Sequence, residues 1–376
     1  MPQAEFTEPV ERVTTLELFF DLVFVFTITQ LTTVLYRSPS ATAVVQVVVM
    51  LTVIWWMYGG YAWLTNAVRA DTAARRLVLL GGMAGYLTLA LSVPRAFAGS
   101  GLAFGLAYLV VVGVHAALFT RAAGLGPLAL LPLASSNLAA AAIVVAGGAL
   151  GGAAQYVLWA GAGLFEWLLP TLRRTEGSFA LAPAHFVERH GLVVIVAIGE
   201  SVVATGFGAS HLPVGGALVA VAVAGLALSA CLWWTYFGSD AERAEGALAR
   251  LEGGMRSRAA LLGFGYWHLL MLLGIVAVAS AERQATEHPF AHLSWSRAAI
   301  LGGGVAVYCA ADVLFRRELS LGPAGPRTAA ALAALAATPI GALVSPFAEL
   351  LLLIAVLAAV FIVEAGGTTP PRPAAA

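Results

Sequence analysis

Long apolar stretches alternate with short polar connections along almost the whole chain. Twelve apolar stretches of roughly 18–25 residues can be distinguished, and each is long enough to cross about 30 Å of hydrocarbon as a helix. The pattern therefore predicts an all-α, polytopic integral membrane protein with about 12 transmembrane helices. The predicted spans are 16–36, 44–67, 77–94, 101–120, 127–147, 149–170, 191–209, 213–236, 259–281, 297–315, 327–344 and 346–365. The division near Gly147–Gly152 is the least distinct, because only glycines separate two apolar runs.

The distribution of arginine predicts the orientation of these spans. With an even number of spans, one side of the membrane receives 16 of the 20 arginines and the other side receives four. The positive-inside rule assigns the richer side to the cytoplasm. Both termini are therefore predicted to be cytoplasmic, in an inner (plasma) membrane.

The composition agrees with a membrane protein and excludes several chemistries. The chain is 60% hydrophobic and 11% charged, whereas a soluble domain carries about 25% charged residues. The formal net charge of +0 gives no reason to expect a nucleic-acid partner. All basic residues are arginine, so no Walker A lysine or Schiff-base lysine is available. Cys231 and Cys309 show no metal-ligand spacing. We expect no metal and no cofactor. The lipid bilayer is the predicted partner, a proton, a cation or a small molecule is the possible substrate, and a homo-oligomer is possible.

Two short motifs recur at one offset and predict an internal duplication. Glu11 and Arg12 follow a valine, as do Glu188 and Arg189, at an offset of 177. The pairs Trp55-Trp56 and Trp233-Trp234 recur at an offset of 178, within Trp-Trp-x-Tyr motifs. Six helices per half would give parallel repeats related by an axis along the membrane normal. The predicted units are residues 1–175 and 176–366, followed by a disordered Pro/Ala-rich tail, 367–376.

Several ionisable residues fall within the predicted spans, where a charge costs about 2.5–3.5 kcal/mol unless protein or water solvates it. Glu17 and Asp21 are four residues apart, hence on one helix face, and Glu200 lies in the middle of span 7. These groups, with Asp312 and His115 as further candidates, predict a site that binds protons or cations. The alternative is that the carboxylates pair with arginines near the cytoplasmic end and hold helices together.

The segment His185–His190 carries two histidines and Glu188, but its spacing differs from the common zinc-protease motifs. We interpret it as a cytoplasmic segment that leads into the membrane, in which Glu188 and Arg189 cap a helix end or form a salt bridge. The four tryptophans of the repeated motif are interpreted as packing or interface anchors, with a cation–π site as the alternative.

Two segments resemble a known family. Residues 16–25, LELFFDLVFV, resemble the opening of the bacterial low temperature requirement protein A (LtrA) family. His185-x-x-Glu188-Arg189-x-Gly-Leu, followed by Gly-Glu200-Ser, resembles its second signature. The resemblance implies a bacterial membrane protein with many spans that covers essentially the whole chain. It implies no particular biochemical activity.

A shorter likeness bears on mechanism. Phe19-x-Asp21-x-Val-Phe, with Ile28-Thr29 beyond, is similar to the first helix of lysosomal and bacterial potassium-permeable channels, which also use six-helix repeats. Phe20 stands where that family has serine, and span 7 has no Phe-x-Asp, so potassium selectivity does not follow.

These observations favour a proton- or cation-linked transporter or channel whose central carboxylates are Asp21 and Glu200, with Glu17 near the cytoplasmic mouth. Two alternatives stay open: a non-catalytic membrane scaffold in cold or stress adaptation, and a lipid-modifying enzyme built on His185, Glu188 and His190.

Overall fold

The computed structural model describes residues 13–67, 72–122, 127–172 and 181–367, and all regular secondary structure in these ranges is helical. A 3₁₀ turn, Val93–Arg95, follows the third helix, and a π-helix, Leu261–Trp267, joins the tenth helix to the eleventh. The helices are α1 (Thr15–Arg37), α2 (Ala41–Ala67), α3 (Ala73–Ser92), α4 (Gly101–Ala122), α5 (Pro127–Leu150), α6 (Gly152–Leu172), α7 (Pro183–Ala209), α8 (Gly216–Phe237), α9 (Asp240–Arg250), α10 (Gly253–Ala260), α11 (His268–Glu287), α12 (Trp295–Glu318), α13 (Gly325–Leu343) and α14 (Pro346–Gly367). Glu11, Arg12, the predicted boundary at 175/176 and residues 368–376 lie outside the described ranges.

The described helices include one for each of the twelve predicted spans. α10, the π-helix and α11 together form a single 35-residue rod that occupies the ninth predicted position. Nine helical segments within the described ranges are both long and apolar enough to cross a membrane. In α5 the apolar segment that could be assessed, Ala134–Leu150, is shorter than the length required. α6 and α13 are also not among the nine. The prediction of an all-α protein with many membrane helices is confirmed at this level.

The surface of the bundle is apolar, as the side chains of membrane helices must be where they meet lipid. Large hydrophobic residues are exposed on many helices, for example Leu77, Val157 and Ile362, each at least two-thirds exposed. A soluble monomer rarely leaves so much contiguous apolar surface in water. The exposed side chains therefore mark the lipid-facing side of the helices.

Two glycines make the turn between α5 and α6 that the sequence left least distinct. α5 ends at Leu150, and Gly151 and Gly152 adopt φ values of +66° and +55°. This left-handed region is accessible to glycine without the steric cost that a Cβ atom adds. The glycine-rich segment therefore divides two helices, as predicted.

Two helix boundaries differ by several residues from the predicted spans, and one helix lies outside them. α7 begins at Pro183, eight residues before the predicted start at 191, because polar residues at its beginning are buried against other helices. Proline is well suited to the first turn of a helix, where its missing N–H has no partner to lose. The rod containing α11 extends to Glu287, beyond the predicted end at 281. α9 lies in a connection that was predicted to contain no helix.

The centre of the bundle is formed by α1, α7 and α11, which contact one another. α2 lies beside this group, in contact with α1, α7 and α11. The outer helices pack in sequence order, with α3 to α6 on one side and α12 to α14 on the other. Glu17, Asp21 and Glu200 therefore lie on central helices, whereas Asp312 lies on the outer helix α12.

Candidate functional site

Glu17 and Asp21 of α1 share one guanidinium group from α7. Arg189 Nη1 donates to Glu17 Oε1 at 2.7 Å, and Nη2 donates to Asp21 Oδ1 at 3.2 Å. All three side chains are buried, at 4%, 1% and 1% exposure. We refer to Glu17, Asp21, Arg189 and His185 as the inner cluster. The pairing of these carboxylates with an arginine is the arrangement that the helix-holding alternative describes.

Local sequence explains why Glu17 is fixed in place. Thr14 and Glu17 form a capping box at the start of α1, in which the Thr14 side chain accepts from the Glu17 N–H and the Glu17 carboxylate accepts from the Thr14 N–H at 2.8 Å. His185 Nε2 lies 3.2 Å from the same carboxylate. Glu17 is therefore engaged by α1 and α7 at once.

Residues of α2 complete the inner cluster. The Tyr58 hydroxyl donates to Asp21 Oδ1 at 2.9 Å, and Arg189 donates to the Thr65 hydroxyl at 3.0 Å. The Asn66 amide bonds both backbone groups of Ala182 and lies 3.1 Å from His185 Nδ1. α2 thus orients the histidine and the arginine that reach α1.

The inner cluster is not fully satisfied. Asp21 Oδ2 and Arg189 Nε are buried and have no hydrogen-bond partner within the described part of the chain. The guanidinium carbon lies 5.6 Å and 5.7 Å from the centroids of the Phe20 and Tyr58 rings, which keep lipid away from it. Two carboxylates face one arginine, so the group retains an acceptor oxygen that a proton or a cation can occupy.

A second group of carboxylates lies further along the same helices. Glu200 of α7 is 3% exposed and accepts a hydrogen bond from the Thr29 hydroxyl of α1 at 2.6 Å. Thr29 is eight residues beyond Asp21, which is about 12 Å along α1 at 1.5 Å per residue. Asp21 of α1 and Glu200, which binds Thr29 of α1, therefore lie at different levels along this helix.

Glu282 of α11 also belongs to this second level. It is 1% exposed, and neither of its carboxylate oxygens has a hydrogen-bond partner among the described residues. The hydroxyl of Ser201, which follows Glu200, faces it from α7. We refer to Glu200 and Glu282 as the outer carboxylates.

The structure separates His115 and Asp312 from both groups and from each other. His115 of α4 is buried beside Gly60 and 5.3 Å from the Tyr61 ring centroid. Asp312 of α12 accepts from Arg327 at 3.0 Å, and Arg327 also binds Glu364. Asp312 is therefore part of an ion-pair network among α12, α13 and α14.

The polar residues of the His185–His190 segment point to different partners. His185 faces Glu17, Glu188 is exposed and accepts from the Val13 N–H at 3.3 Å, and His190 contacts the Phe186 carbonyl at 2.8 Å. Glu188 and Arg189 thus bridge to the beginning of α1, but from within α7 and not from a separate entry segment. No group of three metal-ligating side chains occurs in the described ranges.

The four predicted tryptophans occupy packing and surface positions. Trp55 is buried, stacks on Tyr58 at 4.9 Å and donates to the Gly265 carbonyl at 2.7 Å. Trp56 donates to Asn137. Trp233 stacks on Phe237, and Trp234 is 56% exposed. Trp55 therefore supports the inner cluster through Tyr58.

Sequence reasoning missed Tyr58, Asn66 and Glu282. Glu282 falls one residue beyond the predicted end of span 9 and precedes Arg283, so the pair has the signature of a surface salt bridge. The signal that could have found it is the run of small residues 276–281, which continues directly up to Glu282. Tyr58 belongs to the first Trp-Trp-x-Tyr motif, which was interpreted only as part of the repeat, and Asn66 carries no charge. Both residues are recognised as part of the site once α2 is known to pack against α1 and α7.

Comparisons with known proteins show which family the chain belongs to. The model of the Bacterial low temperature requirement A protein (LtrA) family matches residues 12–362. The chain belongs to the LtrA family. It is also similar to the uncharacterised protein RA0937 of Rhizobium meliloti (strain 1021), at 27% identity over 318 residues, which cover 81% of this chain and 77% of that protein.

The two LtrA-like signature segments meet in three dimensions. The first supplies Glu17 and Asp21 on α1, and the second supplies Arg189 and Glu200 on α7. Because these segments are about 170 residues apart, only the contact between α1 and α7 joins them. The residues that carry the LtrA resemblance thus line one interface at two levels.

Proposed function

We propose that this LtrA-family protein moves protons or small cations across the membrane along the interface of α1, α7 and α11. The observation that carries the proposal is the pair of outer carboxylates, which are buried without an arginine in ion-pair distance among the described residues. Carboxylates at such depth are costly and usually mark ion or proton pathways. Asp21 and Glu200 are the proposed binding groups, with Glu17 at the cytoplasmic mouth.

Buried hydroxyl groups along α1 support a polar route past the outer carboxylates. Thr27 and Thr32 of α1 are buried, and their hydroxyls have no hydrogen-bond partner in the described ranges. Thr27 lies between Asp21 and Thr29, the residue that binds Glu200, and Thr32 lies three residues beyond Thr29. Such groups can solvate a proton or cation that passes through the interface.

The orientation and the internal duplication belong to the same proposal. We propose that both termini are cytoplasmic in the bacterial inner membrane and that residues 1–175 and 176–366 are parallel six-helix repeats. The arginine distribution supports the orientation. The packing of α2 on α6 and of α8 on α14, which hold equivalent places in the two halves, supports the repeat.

Flux measurements in liposomes test the transport proposal. Purified protein is reconstituted in liposomes that enclose a dye sensitive to protons, sodium ions or potassium ions, and a gradient of the matching ion drives flux in three separate experiments. We expect flux above that of empty liposomes for the parent, and loss of that flux for Glu200→Gln. Glu349→Gln is the control, because Glu349 is also a buried carboxylate without an ion-pair partner among the described residues but lies on α14. A parent protein that conducts none of the three ions contradicts the proposal.

One observation favours a scaffold as the second candidate. The inner cluster has the contacts of a group that stabilises the packing of α1 on α7, because Arg189, Tyr58 and Asn66 form hydrogen bonds with most of its polar atoms. If the protein is a scaffold, the carboxylates only hold α1 against α7. The ion flux in liposomes and the growth of cells that make the protein should then be the same for Glu200→Gln and the parent. The same liposome experiment separates the two candidates.

A further inference from the structure

Glu282 occupies a closed position where α7, α8 and α11 meet. A methyl group placed on Gly225 of α8 would lie 3.6 Å from the Glu282 carboxyl carbon and 3.6 Å from the Thr205 hydroxyl of α7. Gly208 of α7 packs just as closely, because a methyl group there would lie 2.7 Å from the Arg283 carbonyl oxygen of α11. The carboxyl group is therefore enclosed by helix backbones.

No positive charge compensates this carboxyl group. Its neighbour Arg283 turns away, since its guanidinium carbon lies 3.9 Å from the Tyr36 ring centroid and its Nε lies 3.9 Å from Glu287. An isolated anion in a low-dielectric interior is so costly that the group takes up a proton or a cation instead. Glu282 therefore needs a positively charged ligand to remain where it is.

The surroundings fit a proton better than a metal cation. On the α7 side, the hydroxyls of Ser201 and Thr205 accompany the two carboxylate oxygens at this position. Calcium takes six to eight oxygen ligands, and magnesium demands a near-octahedral set. A proton needs one oxygen and no added space.

The charged and titratable groups near Glu282 come from three helices. α8 contributes Gly225 and, one turn along, Ser229, neither of which titrates. On α12, the Arg297 side chain is exposed. The titratable and charged neighbours are Tyr36 on α1, Glu200 on α7, and Arg283 and Glu287 on α11.

We propose that Glu282 is a reversible proton-binding site, so that the proton is the coupling or transported ion of the pathway proposed above. Binding forms one O–H bond on a Glu282 carboxylate oxygen and neutralises its charge. Release leaves the anion facing the Ser201 hydroxyl, next in sequence to Glu200. The inference rests on the proposed function for its role in transport, but the protonation itself does not.

Infrared spectroscopy of the protein in liposomes tests the protonation directly. The carbonyl stretch of a protonated carboxyl group is recorded while the pH is raised from acidic to alkaline. We expect the parent to show a carbonyl band at acidic pH and to lose it as the pH is raised. Glu282→Gln should lack this band at every pH, and Glu349→Gln should show it as the parent does. Glu282→Asp keeps a carboxyl group at this position and should show the band at a shifted frequency, which covers the case in which Glu282→Gln does not fold.

The inference is overturned if the pH-dependent bands of Glu282→Gln match those of the parent, or if Glu282→Asp neither loses nor shifts a band. The spectrum does not depend on flux. If the band titrates in a protein that conducts no ion, the transport proposal is refuted and the proton site at Glu282 is supported. If the protein conducts ions but shows no such band, the proton site is refuted and the transport proposal is not.

Discussion

At the scale of single residues, Arg189 holds the inner cluster together. It binds Glu17 and Asp21 on α1 and Thr65 on α2, and it is 1% exposed. The i, i+4 spacing of the two carboxylates could be predicted from sequence, and so could the presence of arginine in the second motif. The identity of the arginine that binds these carboxylates could not be predicted, because the partners are about 170 positions apart in sequence and are brought together by the packing of α7 on α1.

Replacement of Arg189 by alanine should destabilise the protein by about 3–5 kcal/mol, because it leaves two buried carboxylates without a cation. The measurement is the midpoint of thermal unfolding in detergent. Arg297→Ala, at an exposed arginine, should leave the midpoint unchanged. Equal midpoints for Arg189→Ala and the parent would show that this ion pair does not hold α1 against α7.

At the scale of elements, close helix contacts through small residues explain the Ala- and Gly-rich composition. A methyl group on Gly274 of α11 would lie 2.7 Å from the Gly304 carbonyl oxygen of α12, so these backbones touch. The existence of both helices followed from their apolar length. The π-helix Leu261–Trp267 could not be predicted, since its wider turns leave no distinct periodicity of apolar residues in the sequence. The early start of α7 was missed because its buried polar residues interrupt the apolar run.

Gly274→Ala should push α11 and α12 apart and cost about 1–3 kcal/mol, the usual penalty for overpacking. Gly303→Ala is the matched control on the facing helix, because a methyl group there meets nothing within 4 Å. Fluorescence-detected size exclusion after heating compares the two variants with the parent. If Gly274→Ala survives heating as well as Gly303→Ala, the close contact of α11 with α12 is not required.

At the scale of the whole molecule, the two proposed repeats differ where they meet. α1 packs against α11, whereas α7 makes no comparable contact with α3 among the described residues. A strict twofold relation would require both contacts. The sequence motifs predicted equivalent helices within each half, but the way in which the halves dock depends on side chains outside the repeated motifs.

The orientation of the whole molecule predicts the behaviour of reporter fusions. Green fluorescent protein fused after Ala376 should fluoresce, and alkaline phosphatase at the same point should be inactive, because that end is proposed to be cytoplasmic. Fusions after Pro39, between α1 and α2, should behave in the opposite way. Active phosphatase after Ala376 would invert the proposed topology.

The central claim is that one ion route runs from the inner cluster at Asp21 to the outer carboxylates. Its most direct test is the ion flux of Asp21→Asn in liposomes, beside the thermal midpoint of the same preparation. The substitution keeps the side-chain shape and leaves Arg189 paired with Glu17. We predict a folded protein whose flux falls to the level of empty liposomes. A folded Asp21→Asn protein that conducts as fast as the parent would contradict the account.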